Sequence, residues 1–276
     1  MLLRAHAKIN VTLAVGGVRP DGYHDLRSIV APVSLCDDVA LEDAAEIVDE
    51  TDVDFGSENL AVKAARILRD RAGVQSGVRI RVEKRIPCGA GLGGGSADAA
   101  AVLVGLNSLW RLGWGVERLV QVAAEIGSDV PSLVHGGIVM MEGRGERVRP
   151  WTDDALYGRT LVLLKPDVHA STPAVYREFR PEDGGGGLND LQPAACRLYP
   201  EIEQALARLE AAGAREVRMT GSGSTVFGFV DGSGEGRRVA DALSGFGWTA
   251  LAVVCGKDGG FQDDQDNTTI RRGQVR

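Results

Sequence analysis

Residues 87–100 read "PCGAGLGGGSADAA", with five glycines in the seven positions 89–95. Glycine loses more backbone freedom on folding than any other residue. An ordered run this dense therefore needs positive φ, the close approach of another body, or both. Its flanks argue against a linker. Before it, "VRIRVEKRI" (78–86) alternates Val78, Ile80 and Val82 with charged residues, the period of a strand. After it, Ser96 and Asp98 lead into Ala99, Val102, Leu103, Leu106 and Trp110, spaced as one face of a helix. Strand, glycine loop and helix start together aim backbone N–H groups and the helix dipole outward, which favours an anion such as phosphate. From the loop alone, a phosphate site and a tight structural turn both stay open.

Two familiar phosphate loops fit poorly. The string contains GxGxxG at Gly89, Gly91 and Gly94, but a Rossmann site needs a second strand ending in an acidic residue about 20 positions on. That place is taken by "GVERLVQVAAEIG" (115–127), whose Leu119, Val122, Ala123 and Ile126 are spaced as a helix. A Walker A loop needs a lysine, and residues 87–100 contain none.

A chain of 276 residues is long enough for one large domain or two ordinary ones. The formal charge of −7 argues against a nucleic-acid backbone or an anionic membrane as main partner. Phosphorylated small molecules need only a local cationic pocket and stay possible. No apolar run approaches the roughly 20 residues of a membrane span. The N-terminal "MLLRAHAKIN" lacks an apolar signal core, so a cytoplasmic protein is expected. Cys36, Cys88, Cys196 and Cys255 are widely spaced without a CxxC pair, which points to neither a zinc site nor a disulfide framework. Cys88, beside the glycine loop, reads as an incidental small residue.

The alternation in "LRAHAKINVTLAV" (3–15) predicts one strand with its odd positions buried and Lys8 and Asn10 together on the polar face. "GSENLAVKAARILRDRAG" (56–73) predicts a helix with Ser57 as its cap and Leu60, Ala64, Ile67, Leu68 and Ala72 as its stripe. A boundary is expected near 150–158, giving domains 1–152 and 153–256. The second half offers strands at 160–164, 216–219, 224–230 and 249–255 and helices at 200–213 and 235–247. That βαββαβ order is ferredoxin-like. The loop 181–187 reads as flexible, and the polar tail 257–276 as poorly ordered.

Several residues have an ordinary reading beside a chemical one. Lys8 on a polar strand face is by itself a solvated charge. Asp129 in "GSDVP", two residues before Pro131, is placed to cap a helix, yet a carboxylate there is also a candidate general base. "MTGSGSTVF" (219–227) is by default a hairpin turn. "RPDGYHDL" (19–26) carries a Pro-Asp-Gly turn, after which Tyr23 and His24 would ordinarily be packing residues.

Taken in order, "AKINVTL" with "RPDGYHDL", "PCGAGLGGGSADAA", "GSDVP" and "MTGSGSTVF" resemble the signature of the GHMP small-molecule kinases, from about residue 5 to 230. The first two stretches, with "NDLQP" (189–193), are similar to the branch whose acceptor is 4-diphosphocytidyl-2-C-methyl-D-erythritol. The resemblance implies an α+β, two-domain architecture with an N-terminal ATP-binding domain, a C-terminal ferredoxin-like domain and the active site in the cleft between them. It implies transfer of the γ-phosphoryl group of ATP, with Mg²⁺, to the acceptor's 2-hydroxyl, a step of the non-mevalonate route to isoprenoid precursors. Pro87, Gly89, Gly91, Leu92, Gly93, Gly94, Gly95 and Ser96 would cradle the ATP phosphates, with Asn59 and Lys84 near the adenine. Asp129 would take the hydroxyl proton with Lys8 beside it, and Asn10 would hold the sugar alcohol. Tyr23, His24 and Tyr176 would hold the cytosine, with Thr172 nearby, while Gly221 and Gly223 close the site from the second domain.

Ala97 departs from the family pattern, which often has a second serine there, so one hydroxyl near Mg²⁺ or phosphate is missing. No residue is assigned as a metal ligand. Rival readings are a GHMP kinase of homoserine, mevalonate or a sugar, a Rossmann oxidoreductase, and a non-catalytic sensor on the kinase fold. The Tyr23-His24 pair and "NDLQP" oppose the first, the missing strand the second, and the presence of both Lys8 and Asp129 the third.

Overall fold

The computed structural model describes residues 1–52, 58–185, 187–244 and 248–256. The first half is built around one strand that the periodicity does not announce. β1 (Leu2–Asn10) and β2 (Ala14–Val18) both pair antiparallel with β3 (His24–Ala44), which runs for 21 residues. β4 (Ile47–Asp49), α1 (Leu60–Ala72) and β5 (Gly77–Glu83) follow, then α2 (Gly94–Leu109), α3 (Val116–Ile126) and α4 (Val130–His135), then β6 (Val139–Gly143) and β7 (Arg147–Pro150). The sheet runs β4-β5-β3-β6-β7, with β1 and β2 also on β3.

The expected single strand 3–15 is two strands, and its polar face is not solvated. Alternation holds through Ala7, after which Lys8, Ile9, Asn10 and Val11 are all buried. The ladder shifts here: His6 faces Cys36 while Lys8 faces Pro32, so β3 spends extra residues in a bulge. Proline cannot donate to a ladder and belongs at such breaks. The Lys8 N–H bonds instead to the Leu92 carbonyl of the glycine loop, at 3.0 Å. That loop, and a turn from the second half, cover the face that alternation assigns to water.

α1 starts at Leu60, with the Asn59 side chain accepting the Ala61 N–H at 3.0 Å, and ends at Gly73 in the left-handed region. The expected cap, Ser57, lies outside the described residues, as does the tail 257–276. α2 is buried on nearly every side from Ala97 to Leu106, between β1, α1 and α4. A helix that is apolar all round belongs inside, and its alanines allow that close packing.

The second half contains β8 (Thr160–Lys165), α5 (Thr172–Glu178), α6 (Gln192–Leu198), α7 (Pro200–Ala211), β9 (Arg215–Met219), β10 (Val226–Val230), α8 (Gly232–Leu243) and β11 (Thr249–Val254). Its sheet is antiparallel in the order β11-β8-β10-β9. With α7 and α8 as the crossovers this is the ferredoxin-like βαββαβ unit. One sheet face packs Val162, Leu164 and Val226 against Ile202, Leu209 and Val239. The other turns Leu161, Leu163, Phe227 and Phe229 into the core of the first half. No helix among the described residues is long and apolar enough to cross a membrane.

Candidate active site

Two cavities meet at the glycine loop. One, of about 570 Å³, lies between the halves and is lined by Lys8, Asn10, Tyr23, His24, Asp129, Thr172, Tyr176 and Gly221. The other, of about 490 Å³, is lined by Asn59, Lys84, Pro87, Gly89, Gly94, Gly95 and His169. Gly91, Gly93 and Ser96 line both. Two expected site residues line neither. The Leu92 side chain is in the core, and a Cβ on Gly223 would meet Met219, Ile202 and Ala170.

Glycine is required at two places in this wall. Gly91 has φ +75°, and a Cβ there would stand 2.8 Å from the Thr220 and Gly223 carbonyl oxygens of the second half. Gly93 has φ +69°, and its Cβ would meet the Lys8 side chain at 3.0 Å. The loop is bare because another loop and a lysine lie against it. α2 begins at Gly94 with no side-chain cap, and Gly94, Gly95 and Ser96 of its first turn line the second cavity.

Lys8 is 3 % exposed and gives its ammonium to Asn10 Oδ1 at 2.8 Å, the Gly91 carbonyl at 3.1 Å and Asp129 Oδ2 at 3.3 Å. Asn10 is fixed in turn, donating from Nδ2 to Ser28 Oγ and from its backbone to Thr220 Oγ1, both at 2.8 Å. Asp129 occupies the N-cap position of α4, but its carboxylate caps nothing. It reaches Lys8 and stays 31 % exposed at the cavity. The capping reading holds for the backbone and fails for the side chain.

Lys84 is engaged differently. Its ammonium lies 2.5 Å from Asp37 Oδ2 and 2.6 Å from Asp98 Oδ2, both carboxylates being buried. Asp37 also accepts the Ile86 N–H at 2.8 Å. Burial pushes the Asp98 carboxyl up to about 7, against the pull of Lys84. Asn59 is likewise committed, with Oδ1 on the α1 start and Nδ2 donating to Asp49 at 2.9 Å.

At the outer end of the larger cavity, the Pro20-Asp21-Gly22 turn closes the β2–β3 hairpin, with Gly22 at φ +82°. Tyr23 is 54 % exposed beneath the Arg144 guanidinium, 4.7 Å from its ring centre. The His24 ring lies 5.7 Å from that of Tyr176, tilted by 32°. Burial, with the charge of Asp129, pushes the Tyr176 phenol up. Thr172 Oγ1 and Ser222 Oγ share a hydrogen bond of 2.7 Å. Arg144, Arg177, Ser222 and His169 line the cavities without having been expected. They stand in turns and at helix ends with no periodic pattern; flanking glycines mark the turns of Arg144 and Ser222, and nothing comparable marks Arg177 or His169.

Residues 59–137 match the GHMP kinases N terminal domain and residues 173–247 the GHMP kinases C terminal domain. The 4-diphosphocytidyl-2-C-methyl-D-erythritol kinase of Pelotomaculum thermopropionicum is 40% identical over 263 residues, covering 86% of this chain and 91% of its own. A crystal structure of 4-(cytidine 5'-diphospho)-2C-methyl-D-erythritol kinase superposes with TM-score 0.82 at 39% identity, over 93% of this chain and 100% of that one. A mevalonate kinase structure reaches TM-score 0.69 at 11% identity over 93% of this chain and 99% of its own, a likeness of fold alone. Helix α3 standing where a Rossmann strand would be, and sequence identity along nearly the whole chain, leave neither the oxidoreductase nor the non-catalytic reading. The chain belongs to the GHMP kinases, ATP-dependent enzymes acting on small molecules, and within them to the family of the 4-diphosphocytidyl-2-C-methyl-D-erythritol kinases.

Proposed function

We propose that the protein transfers the γ-phosphoryl group of ATP to the 2-hydroxyl of 4-diphosphocytidyl-2-C-methyl-D-erythritol, in the non-mevalonate route to isoprenoid precursors and in the cytoplasm. One observation carries the reading: two cavities share the wall Gly91, Gly93 and Ser96, and the Lys8–Asp129 pair stands on the acceptor side of it. The nucleotide takes the cavity between Asn59 and His169, with its phosphates on the amides of the loop and the α2 start. The acceptor takes the cavity between the halves.

In the reaction the acceptor oxygen bonds to the γ-phosphorus, the bond from that phosphorus to the bridging oxygen breaks, and ADP leaves. Such transfers have a loose transition state, so positioning and charge stabilisation do most of the work. Asp129 takes the hydroxyl proton, or its hydrogen bond, at Oδ1 or Oδ2. Lys8 holds Asp129 and Asn10 in register and places a positive charge beside the transferring group. Asn10, locked by Ser28 and Thr220, orients the alcohol. Tyr23, His24 and Tyr176 hold the cytosine, with Thr172 at the edge.

Mg²⁺ usually takes one or two protein oxygens together with substrate phosphates and waters. The donor set fits an ion carried by the nucleotide: the Ser96 hydroxyl stands in the wall common to both cavities, where the phosphates would meet the acceptor. Ser96 is the residue that would hold it, and it would offset phosphate charge there.

The test is phosphoryl transfer from ATP across a panel of acceptor alcohols. The cytidine-linked acceptor should be turned over, while homoserine, mevalonate, galactose and unlinked methylerythritol phosphate stay near background. Stacking does not separate cytosine from uracil, so hydrogen bonds to the base edge must, and mismatched buried polar groups reject a ligand strongly. Equal kcat/KM for the cytidine and uridine acceptors would refute the assignment of Tyr23, His24 and Tyr176.

A further inference from the structure

The motif "NDLQP" lines neither cavity, yet its first residue holds a wall of the larger one. Asn189 is 3 % exposed, and its Nδ2 donates to the Met219 carbonyl at 2.8 Å and to the Gly221 carbonyl at 2.9 Å. Its Oδ1 accepts the Leu191 N–H at 3.0 Å, so the amide group is fixed on both sides. The segment is itself anchored to the first half, where the Leu13 N–H reaches the Leu188 carbonyl at 2.8 Å and the Asp190 N–H reaches the Leu13 carbonyl at 2.9 Å. Asn189 thus connects the β1–β2 link to the Gly221 turn. That turn rests against the reaction centre: a Cβ built on Gly221 would be 3.4 Å from Asn10 Oδ1 and 3.6 Å from Lys8 Nζ.

We infer that Asn189 is a positioning residue for phosphoryl transfer, acting through the Gly221–Ser222 turn on Lys8 and Asn10. This rests on the reading that Lys8 and Asp129 mark the reaction centre. Both carbonyls that Asn189 grips belong to the strand end and turn that close the cleft, and no other side chain is hydrogen-bonded to those two carbonyls among the described residues. Misplacing a catalytic wall by about 1 Å can cost on the order of 100-fold in rate. Its neighbour Asp190 provides a contrast. The Asp190 carboxylate accepts the Val15 N–H at 2.9 Å and the Gly185 N–H at 3.2 Å and does not touch the turn. Asp190 straps the segment down, whereas Asn189 aims the turn.

The test compares Asn189→Asp with Asp190→Asn. Asn189→Asp keeps the shape but sets a carboxylate oxygen against two carbonyls. It should lower kcat by about tenfold or more at saturating substrates, move the KM for ATP less than kcat, and speed amide exchange at residues 219–223. Asn189→Ser, which keeps one donor, should show the same pattern more weakly and serves if the charge prevents folding. Asp190→Asn should lower the urea midpoint while keeping kcat within about twofold. Folded Asn189 variants with unchanged kcat, a kcat loss without faster exchange at 219–223, or an equal kcat loss in Asp190→Asn would each overturn the inference. Lys8→Ala, assayed alongside, separates the causes. If it keeps full turnover, the reaction-centre reading falls and takes this inference with it. If it loses turnover and the Asn189 variants do not, only the inference falls.

Discussion

Two buried lysines flank the glycine loop, and their surroundings differ in one respect. Lys8 and Lys84 are 3 % and 9 % exposed, and each pairs with carboxylate. The partners of Lys84, Asp37 and Asp98, are 0 % and 1 % exposed, so both carboxylates are sealed off and Lys84 alone of the three borders the second cavity. The partner of Lys8, Asp129, is 31 % exposed and faces a cavity large enough for a ligand. Sealed carboxylates have no face left for an incoming hydroxyl and act by holding the chain: Asp37 fixes Ile86 ahead of the loop, and Asp98 sits in the first turns of α2. An open pair keeps a carboxylate in reach of a hydroxyl. Burial of a lysine alone does not separate scaffold from chemistry; the exposure of its partner does.

The open pair should therefore fail in rate. Asp129→Asn is expected to lower kcat by about 10²-fold or more, within the 10²–10⁴ that general-base help contributes, with little change in the KM for ATP or in stability. Lys8→Ala should do similar damage. Because the two touch, the double variant should lose less than the product of the single losses. Fully multiplicative losses in that cycle would mean the two act independently.

The sealed cluster should fail in stability. Lys84→Ala leaves two buried carboxylates without their cation, and removing one partner of a buried ion pair costs roughly 3–5 kcal/mol. Urea unfolding should shift by that order, while kcat per folded molecule stays close to the parent value. A stable Lys84→Ala protein with a sharply raised KM for ATP would instead make Lys84 a direct nucleotide contact.

This division was only partly legible beforehand. The βαββαβ elements of the second half read well from local pattern, with α7 and α8 as the crossovers, whereas α5 and α6, seven residues each, are too short to show a period. In the first half β3 does not read from local pattern: its 21 residues bend through a bulge at Pro32 and take partners on several sides. Lys8 and Asn10 were legible as neighbours on one strand face, but not as buried, because what covers them comes from Gly91 and Thr220, far along the chain. Asp129 is visible as a helix start, yet that its carboxylate is left over from capping depends on the folded geometry of α4 and Lys8. Asn59 and Lys84 line the second cavity, while their polar atoms are already engaged within the protein.

Gly91 tests the contact between the two loops separately from backbone strain. Gly91 and Gly158 share φ +75°, but a Cβ on Gly158 would meet nothing within 4 Å, whereas one on Gly91 would stand 2.8 Å from two carbonyl oxygens. Gly158→Ala should cost only the strain, on the order of 1 kcal/mol, and leave kcat unchanged. Gly91→Ala should cost more and also lower kcat, because the Gly91 carbonyl holds Lys8. Equal effects in the two variants would remove the loop contact from the argument.

The mildest expected effect is a slope with pH, and it belongs to the sealed cluster. The Asp98 carboxyl is raised from 3.8 to about 7 by burial, opposed by Lys84 and helped by the charge of Asp37. One of its oxygens meets Lys84, and the other, Oδ1, has no hydrogen-bond partner among the described residues. A folded-state value above the unfolded one means that folding takes up a proton between the two. Stability from this group is thus fully present below about pH 4 and declines as pH rises to about 7, then levels off. Lys84, for which burial is outweighed by its two carboxylates, is raised as well and stays charged throughout that range. Asp98→Asn mimics the protonated group at every pH. Urea midpoints measured from pH 5 to pH 8 should therefore fall less steeply in Asp98→Asn than in the parent, with kcat little changed at each pH. Parallel curves would show that Asp98 keeps its charge when the protein folds, and that the cluster is a fixed ion network rather than one that shares a proton.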